Sequence, residues 1–260
     1  MEAVLLGIIQ GIAEWLPISS TGHLRLAEHF LGLPVPILFD ITLHIGTLVV
    51  ILFFFRKDIK SILTALAHLD FKSENGRLIP LIIVGSIPTA LIGLAFSDQI
   101  ESTFRSPVPI AIALVICGTL LFASKFAREK TDNITYTKAL IFGIAQGLAI
   151  IPGLSRSGTT IAVALMLGLK REKAFRFSFL LSIPAIVGAL GLITSKEHET
   201  LMQAGIGGSE ILVGVTIAMI AGYFALRLLR KAIESRKFYL FALYCWLLGT
   251  ALLALSLFRV

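Results

Sequence analysis

Along the chain, long apolar runs alternate with short basic loops. Six runs, at 36–55, 77–97, 107–127, 175–195, 210–230 and 238–258, reach the roughly 20 residues a helix needs to cross a bilayer. Four others fall short. The run 3–16 stops at Pro17 and apolar character resumes at 24–33; the run 138–151 stops at Pro152 and resumes at 159–169. A helix of about 14 residues rises only about 21 Å. Each short pair is therefore expected to dip into the membrane and return to the side it left, as a re-entrant hairpin. Non-helical backbone at that depth must be buried in protein or line a wet cavity. The pattern predicts an all-α integral membrane protein with six transmembrane helices plus two re-entrant helical hairpins.

Composition supports the membrane assignment. The chain is 56% hydrophobic, with 18 Phe and 22 Gly among 260 residues, and its mean hydropathy is +0.90, which excludes an ordinary soluble domain. The formal net charge of +7 lacks the aromatic interleaving of a nucleic-acid surface. It reads as topology, since Lys and Arg mark cytoplasmic loops. The loops 56–77, 125–138, 170–176 and 227–237 hold 18 of the 23 Lys and Arg residues, whereas Arg25, Arg105, Lys196 and Arg259 face the other way and Arg156 is buried. This map puts both termini outside, with the first hairpin entering from outside and the second from the cytoplasm. The first half holds three spans, an odd number, so the second half starts on the opposite face. A single membrane domain with inverted-topology repeats, 1–130 and 137–260, follows, and such folds build their sites near the midplane at the repeat interface. Residues 57–71 have the pattern of an amphipathic helix on the cytoplasmic surface. Residues 195–209 read as an outer loop with Gly205, Gly207 and Gly208. Cys117 and Cys245 lie in apolar runs and read as small buried hydrophobes. The N-terminal run carries Glu14 and lacks a basic leader, so it is expected to be retained.

The two hairpins carry the chemistry. Residues 10–23 read QGIAEWLPISSTGH and residues 146–159 read QGLAIIPGLSRSGT. Gln10 and Glu14 share one helix face at i,i+4. A carboxylate inside a membrane is a functional candidate, and Glu14 could hold a divalent cation through oxygen ligands; the alternative is a carboxylate that only packs helices together. Ser19, Ser20, Thr21 and Gly22 suit the N-cap of a helix starting at Leu24, whose free N–H groups and dipole favour an anion. His23 titrates near neutral pH and could act as base, acid or nucleophile. Ser155, Ser157, Gly158 and Thr159 mirror this cluster around Arg156, whose permanent charge and planar fork match phosphate. An ion pair between Arg156 and Glu14 is the structural alternative. Two helix N-termini aimed at one point suit an anion of more than one charge, and diphosphate fits better than carboxylate. Asp40 and His44, also i,i+4, are either a second layer behind the site or a self-satisfied pair. His68 and His198 fall in loops.

QGIAEWLPISSTGHL resembles the first signature of the undecaprenyl-diphosphate phosphatase family linked to bacitracin resistance: Glu or Gln, then Glu four residues later, then Pro-x-Ser-Ser-Thr-Gly-His. PGLSRSGTT at 152–160 resembles the second, Pro-Gly-x-Ser-Arg-Ser-x-x-Thr. The resemblance covers the whole chain. It implies interdigitated inverted repeats in the cell membrane and removal of the terminal phosphate of undecaprenyl diphosphate, which regenerates the lipid carrier for cell-wall glycan export. It also implies dependence on a divalent cation, Mg2+ or Ca2+. Carried over, the family's two carboxylate positions fall on Gln10 and Glu14, its histidine on His23, its arginine on Arg156 and its proposed nucleophilic hydroxyl on Ser20. Glu14 is then the metal ligand, and Gln10, Ser19, Thr21, Gly22, Ser155, Ser157, Gly158 and Thr159 line the substrate. With Gln10 in the first carboxylate position, Asp40 or the substrate phosphates would complete the metal shell.

These residues lead to a working mechanism in which Arg156 and loop N–H groups hold the phosphates and His23 attacks directly or deprotonates Ser20 or a water. The expected partners are a polyprenyl diphosphate lipid and the membrane, with no nucleic acid and with a homodimer as one mode of assembly. The active site is expected to open to the outer face. The rival class is a polyprenyl-phosphate flippase, because inverted repeats around a midplane site also build transporters. An acid phosphatase of the lipid-phosphatase type would need a further histidine within 159–169, and none is present.

Overall fold

The computed structural model describes residues 2–32, 37–104, 106–196 and 208–258. Over these residues the regular elements are helices, with one isolated parallel bridge between Thr131 and Leu169. In chain order the helices are α1 (Glu2–Trp15), α2 (Ser20–Leu31), α3 (Ile37–Phe54), α4 (Arg56–Ala67), α5 (Leu78–Thr103), α6 (Pro107–Ala123), α7 (Tyr136–Leu148), α8 (Arg156–Met166), α9 (Arg171–Lys196), α10 (Gly208–Glu234) and α11 (Phe241–Phe258). Arg105, His198, Gly205, Gly207, Arg259 and the first residue of the 36–55 run lie outside the described residues.

Five helices among the described residues are long and apolar enough to cross a membrane by themselves: α5, α6, α9, α10 and α11, the second and last with their short 3-10 extensions. The run expected at 36–55 gives α3, which qualifies only together with α4, and the pair is bent by 76° where the sequence turns from FFF to RKD. The chain there passes from apolar to charged within two residues, so a straight continuation would carry Arg56, Lys57 and Asp58 along a lipid-facing axis.

The four short helices form as two helix–turn–helix units. α1 ends at Trp15 because Pro17 supplies no N–H and disfavours helix in the residue before it. The return helix α2 starts at Ser20, four residues earlier than Leu24, because the Ser19 side chain caps it by accepting from the Gly22 N–H at 3.3 Å. In the second unit, α8 starts at Arg156, capped by Ser155, which accepts from the Gly158 N–H at 3.1 Å. Thr21, Gly22 and His23 therefore sit on the first turn of a helix, not on a loop before one.

Glycines set how these short helices dock. α1 lies along α10, where a Cβ on Gly7 would come within 2.6 Å of the Gly214 carbonyl oxygen and one on Gly11 within 2.6 Å of that of Ala218. α7 lies along α5 in the same manner, with Gly143 against the Gly85 carbonyl and a Cβ on Gly147 2.6 Å from the Ile92 side chain. Such stripes of small residues are how helices approach closely where lipid gives no hydrophobic drive between them. Around them lies a tight core that includes Trp15, Phe142, Phe177, Phe179, Leu121 and Leu165, all under 2% exposed. The outer surface carries large apolar side chains such as Leu91, Phe224 and Leu247, as a lipid-facing surface requires.

Ion pairs gather the four basic loops at one end of the bundle. Arg176 donates to Asp58 at 2.6 Å and to Asn75 at 2.6 Å. Lys170 pairs with Asp132 at 2.8 Å, Arg171 with Glu129 at 3.2 Å and Arg236 with Glu129 at 3.7 Å. Loops 56–77, 125–138, 170–176 and 227–237 are thus linked through side chains.

Candidate active site

The two turns meet in the interior. The Ser19 hydroxyl accepts from the Gly153 N–H at 2.9 Å, and Gly22 faces Gly153 so closely that a Cβ on it would lie 3.1 Å from the Gly153 nitrogen. Gly153 itself has φ 102°, a backbone open to glycine, and a Cβ there would come within 2.5 Å of the Ile110 carbonyl oxygen. Ser19 adopts φ 72° without being glycine. A non-glycine residue in that region is held by its surroundings, here by the two N–H groups its hydroxyl receives.

At this junction Glu14 is the hub. Its side chain is 4% exposed. One oxygen, Oε1, pairs with Arg156 Nη2 from the opposite turn. The other, Oε2, accepts from Ser20 Oγ at 2.7 Å and from Gln10 Nε2 at 3.1 Å, and His44 Nε2 stands 3.8 Å from it. His44 is oriented in turn by Asp40, whose backbone oxygen lies 3.0 Å and whose Oδ1 lies 3.4 Å from Nδ1. Asp40 and His44 are thus a pair, and the pair also abuts Glu14.

Of the roles open to His23, the contacts seen here do not pair it with Ser20. Its Nδ1 lies 2.8 Å from the Ser19 carbonyl oxygen and its Nε2 lies 2.6 Å from the Tyr244 hydroxyl. A carbonyl can only accept, so Nδ1 carries the proton and Nε2 accepts from Tyr244. The rings also stack, with centroids 5.7 Å apart. Ser20 donates to Glu14 instead. Tyr244 escaped the sequence reading because it sits in an uninterrupted apolar run (FALYCWLL), and only the fold brings it across from α11.

Two of the residues expected to line the substrate, Ser155 and Ser157, also bond to the first hairpin. Where α1 breaks, its last carbonyls lose their intrahelical partners. Ser157 Oγ donates to the Trp15 oxygen at 3.0 Å, and Ser155 Oγ to the Leu16 oxygen at 3.4 Å. Cys245 and Cys117 face the Pro17 oxygen at 3.5 and 4.0 Å. Both cysteines are buried as expected, and their weak S–H donors also serve the broken helix end. Ser155, Ser157, Gly158 and Thr159 are all buried; a Cβ on Gly158 would meet the Pro17 ring at 2.9 Å. Ser155 and Ser157 join the hairpins through these bonds, and Ser157 also borders a small cavity beside Arg156, Thr160 and Ser178. Ser20 and His23 are half-buried, Thr21 is exposed and Arg156 is partly exposed, so these four form the accessible face.

The arrangement offers a hydroxyl whose proton already points at a carboxylate, an imidazole whose accepting nitrogen is held by the Tyr244 hydroxyl, and a fixed cation. Among the described residues no three His, Cys, Asp or Glu side chains cluster as a metal site. The oxygen donors do fit a hard cation: the buried Gln10 Oε1 has no hydrogen-bond partner, and it belongs to the side chain that touches Glu14. Arg156 and Glu14 offset each other, so side chains alone leave little positive charge for a diphosphate.

Comparison with known proteins gives the family. The family model described as bacitracin resistance protein BacA matches residues 3–251. An undecaprenyl-diphosphatase of Carboxydothermus hydrogenoformans is 43% identical over 98% of this chain and 97% of its own length. Proteins of the same name from Methanosphaera stadtmanae and Desulforapulum autotrophicum are 43% and 42% identical, covering 98% and 95% of this chain and the same shares of their own. With its paired hairpins converging on Glu14, Ser20, His23 and Arg156, the chain belongs to the BacA family.

Proposed function

We propose that this protein is a membrane phosphatase that hydrolyses undecaprenyl diphosphate to the monophosphate and phosphate, recycling the lipid carrier of cell-wall glycan synthesis. The observation that carries the chemistry is the Ser20 hydroxyl donating to Glu14 while Arg156 holds the other carboxylate oxygen. Transport alone needs no hydroxyl aimed at a base.

In this reading Ser20 Oγ attacks the terminal phosphorus as Glu14 takes its proton. The bond from phosphorus to the bridging oxygen breaks, and the polyprenyl monophosphate leaves. A water, taking the place of the Tyr244 hydroxyl at His23 Nε2, which lies one turn along α2 from Ser20, then attacks the phosphoserine phosphorus and gives its proton to that nitrogen; the bond from phosphorus to Ser20 Oγ breaks, Oγ takes back the proton held by Glu14, and phosphate is released. Arg156 stabilises the charge on the transferring group. Gln10 and Glu14 would hold the divalent cation, Mg2+ or Ca2+, whose charge would neutralise phosphate oxygens that Arg156 alone cannot; the substrate phosphates would supply further ligands.

The matched packing of α1 on α10 and of α7 on α5 supports inverted repeats over 1–130 and 137–260, because the same Gly-x-x-x-Gly spacing meets a long helix of the opposite half in each case. The basic loops joined at one end support a cytoplasmic assignment for that end. The termini and the mouth of the site then face outward.

The test is to trap the covalent intermediate with a radiolabelled diphosphate lipid. Label should accumulate on Ser20 in His23→Ala and be absent in Ser20→Ala. Label on His23, or turnover in Ser20→Ala near that of wild type, would overturn this assignment.

A further inference from the structure

We infer that α4 and the end of α3 form a seat for one anionic glycerophospholipid of the leaflet in which α4 lies. α3 has 18 residues and so spans about 27 Å, close to the roughly 30 Å hydrocarbon thickness of a bilayer. The 76° bend that follows it comes at the level where hydrocarbon gives way to headgroups, and it lays α4 nearly in the membrane plane.

Charge on α4 is segregated. Its one acid, Asp58, turns inward, where Arg176 donates to it at 2.6 Å. Its cations, Arg56, Lys57 and Lys60, are all exposed, and none has an acidic partner within ion-pair distance among the described residues. Arg56 lies over the Phe53 ring at 4.5 Å and donates to the Phe53 carbonyl at 3.0 Å, contacts that fix its position and keep its charge. Beside these cations runs an open groove of about 580 Å³ bordered by Leu52, Ile59, Leu63 and Ala67, with Arg56 and Lys60 as its charged members. Leu63 is 57% exposed.

An apolar groove with unpaired cations at headgroup depth fits a molecule with an acyl chain and a phosphate. A zwitterionic lipid fits less well, because its own cation would meet Arg56 and Lys60. The seat is separate from Glu14 and Arg156, and it does not depend on the hydrolytic reading.

The experiment places the photoreactive residue p-benzoylphenylalanine at Leu66, which is 44% exposed on α4, in the full-length protein. The protein is reconstituted in vesicles of equimolar phosphatidylglycerol and phosphatidylcholine, irradiated, and its lipid adducts are weighed by mass spectrometry. Phosphatidylglycerol adducts should exceed phosphatidylcholine adducts by about threefold or more, and R56Q/K57Q/K60Q should bring the ratio to about one. Phosphatase activity of the triple variant reports that it is folded. A ratio of one in the parent, a preference that survives neutralisation, or the absence of any lipid adduct would each overturn the proposal.

Discussion

Ser20 and Glu14, six residues apart on either side of a proline turn, share a 2.7 Å hydrogen bond in which the hydroxyl donates. The turn exists because Pro17 ends α1, and the bond exists because Ser19 caps α2 one residue before Ser20. The pairing is therefore a product of local sequence. Replacing Ser20 by Ala should lower phosphate release by about 10³-fold or more if the hydroxyl attacks, with little change in melting temperature. Release of phosphate from farnesyl diphosphate by purified protein in detergent measures the first quantity and thermal denaturation the second.

Arg156 and Glu14 are the bond between the two halves of the site. Arg156→Lys keeps the charge and loses the planar fork. Turnover should fall by about 10²–10³-fold, with stability nearly kept. Arg156→Ala should also destabilise, by about 3–5 kcal/mol if Glu14 stays ionised, because a buried carboxylate is then left without its partner. Comparing the two variants in activity and in thermal denaturation separates the two roles, and equal activity in Arg156→Lys and wild type would make the arginine purely structural.

Tyr244 holds the accepting nitrogen of His23. Tyr244→Phe keeps the ring stacking and removes the hydrogen bond, so stability should change by only about 0.5–1.5 kcal/mol. The imidazole would lose one of its two anchors. The expected result is a drop in kcat of about tenfold with KM within about twofold, read from steady-state kinetics. An equal fall in kcat/KM caused only by KM would instead assign the hydroxyl to substrate binding.

How much of this was legible in the sequence depends on whether the information was local. Glu14, Ser20 and Arg156 stood out because polar side chains in an apolar run are costly unless they act together, and the turns were readable from Pro17 and Pro152. The charge split among loops foretold that four basic loops share one end. The start of α2 was misjudged by four residues, because Ser19 and Ser20 are equally good caps by type and only the Gly153 contact selects Ser19. The His23–Tyr244 bond spans 221 residues, and nothing local in FALYCWLL marks it. Ser155 and Ser157 were assigned to substrate because serines in a polar cluster offer donors to any acceptor. The structure adds two acceptors for them, the carbonyls freed by the broken α1.

That structural role of Ser157 is testable. Ser157→Ala removes the donor to the Trp15 carbonyl, a buried acceptor without helical partner. Its loss should cost about 1–3 kcal/mol of stability while KM for the diphosphate stays within about twofold. Thermal denaturation alongside kinetics gives both numbers. A variant of normal stability with a strongly raised KM would instead make Ser157 a substrate-binding residue.

Metal dependence tests the buried Gln10 Oε1, which has no partner and belongs to a side chain that touches Glu14. If Gln10 Oε1 and Glu14 hold a divalent cation against the diphosphate, EDTA should abolish phosphate release and added Mg2+ or Ca2+ should restore it. Gln10→Glu adds a carboxylate to this oxygen set, so it should lower the Mg2+ concentration needed for half-maximal activity, by about tenfold for one added charge at close range in a partly screened site. Gln10→Leu keeps the volume and removes the oxygen, and should raise it. Cation titrations of the three proteins decide the matter: unchanged midpoints would mean that residue 10 does not touch the ion, and full activity in EDTA would mean that Arg156 and the helix N-termini neutralise the phosphates unaided.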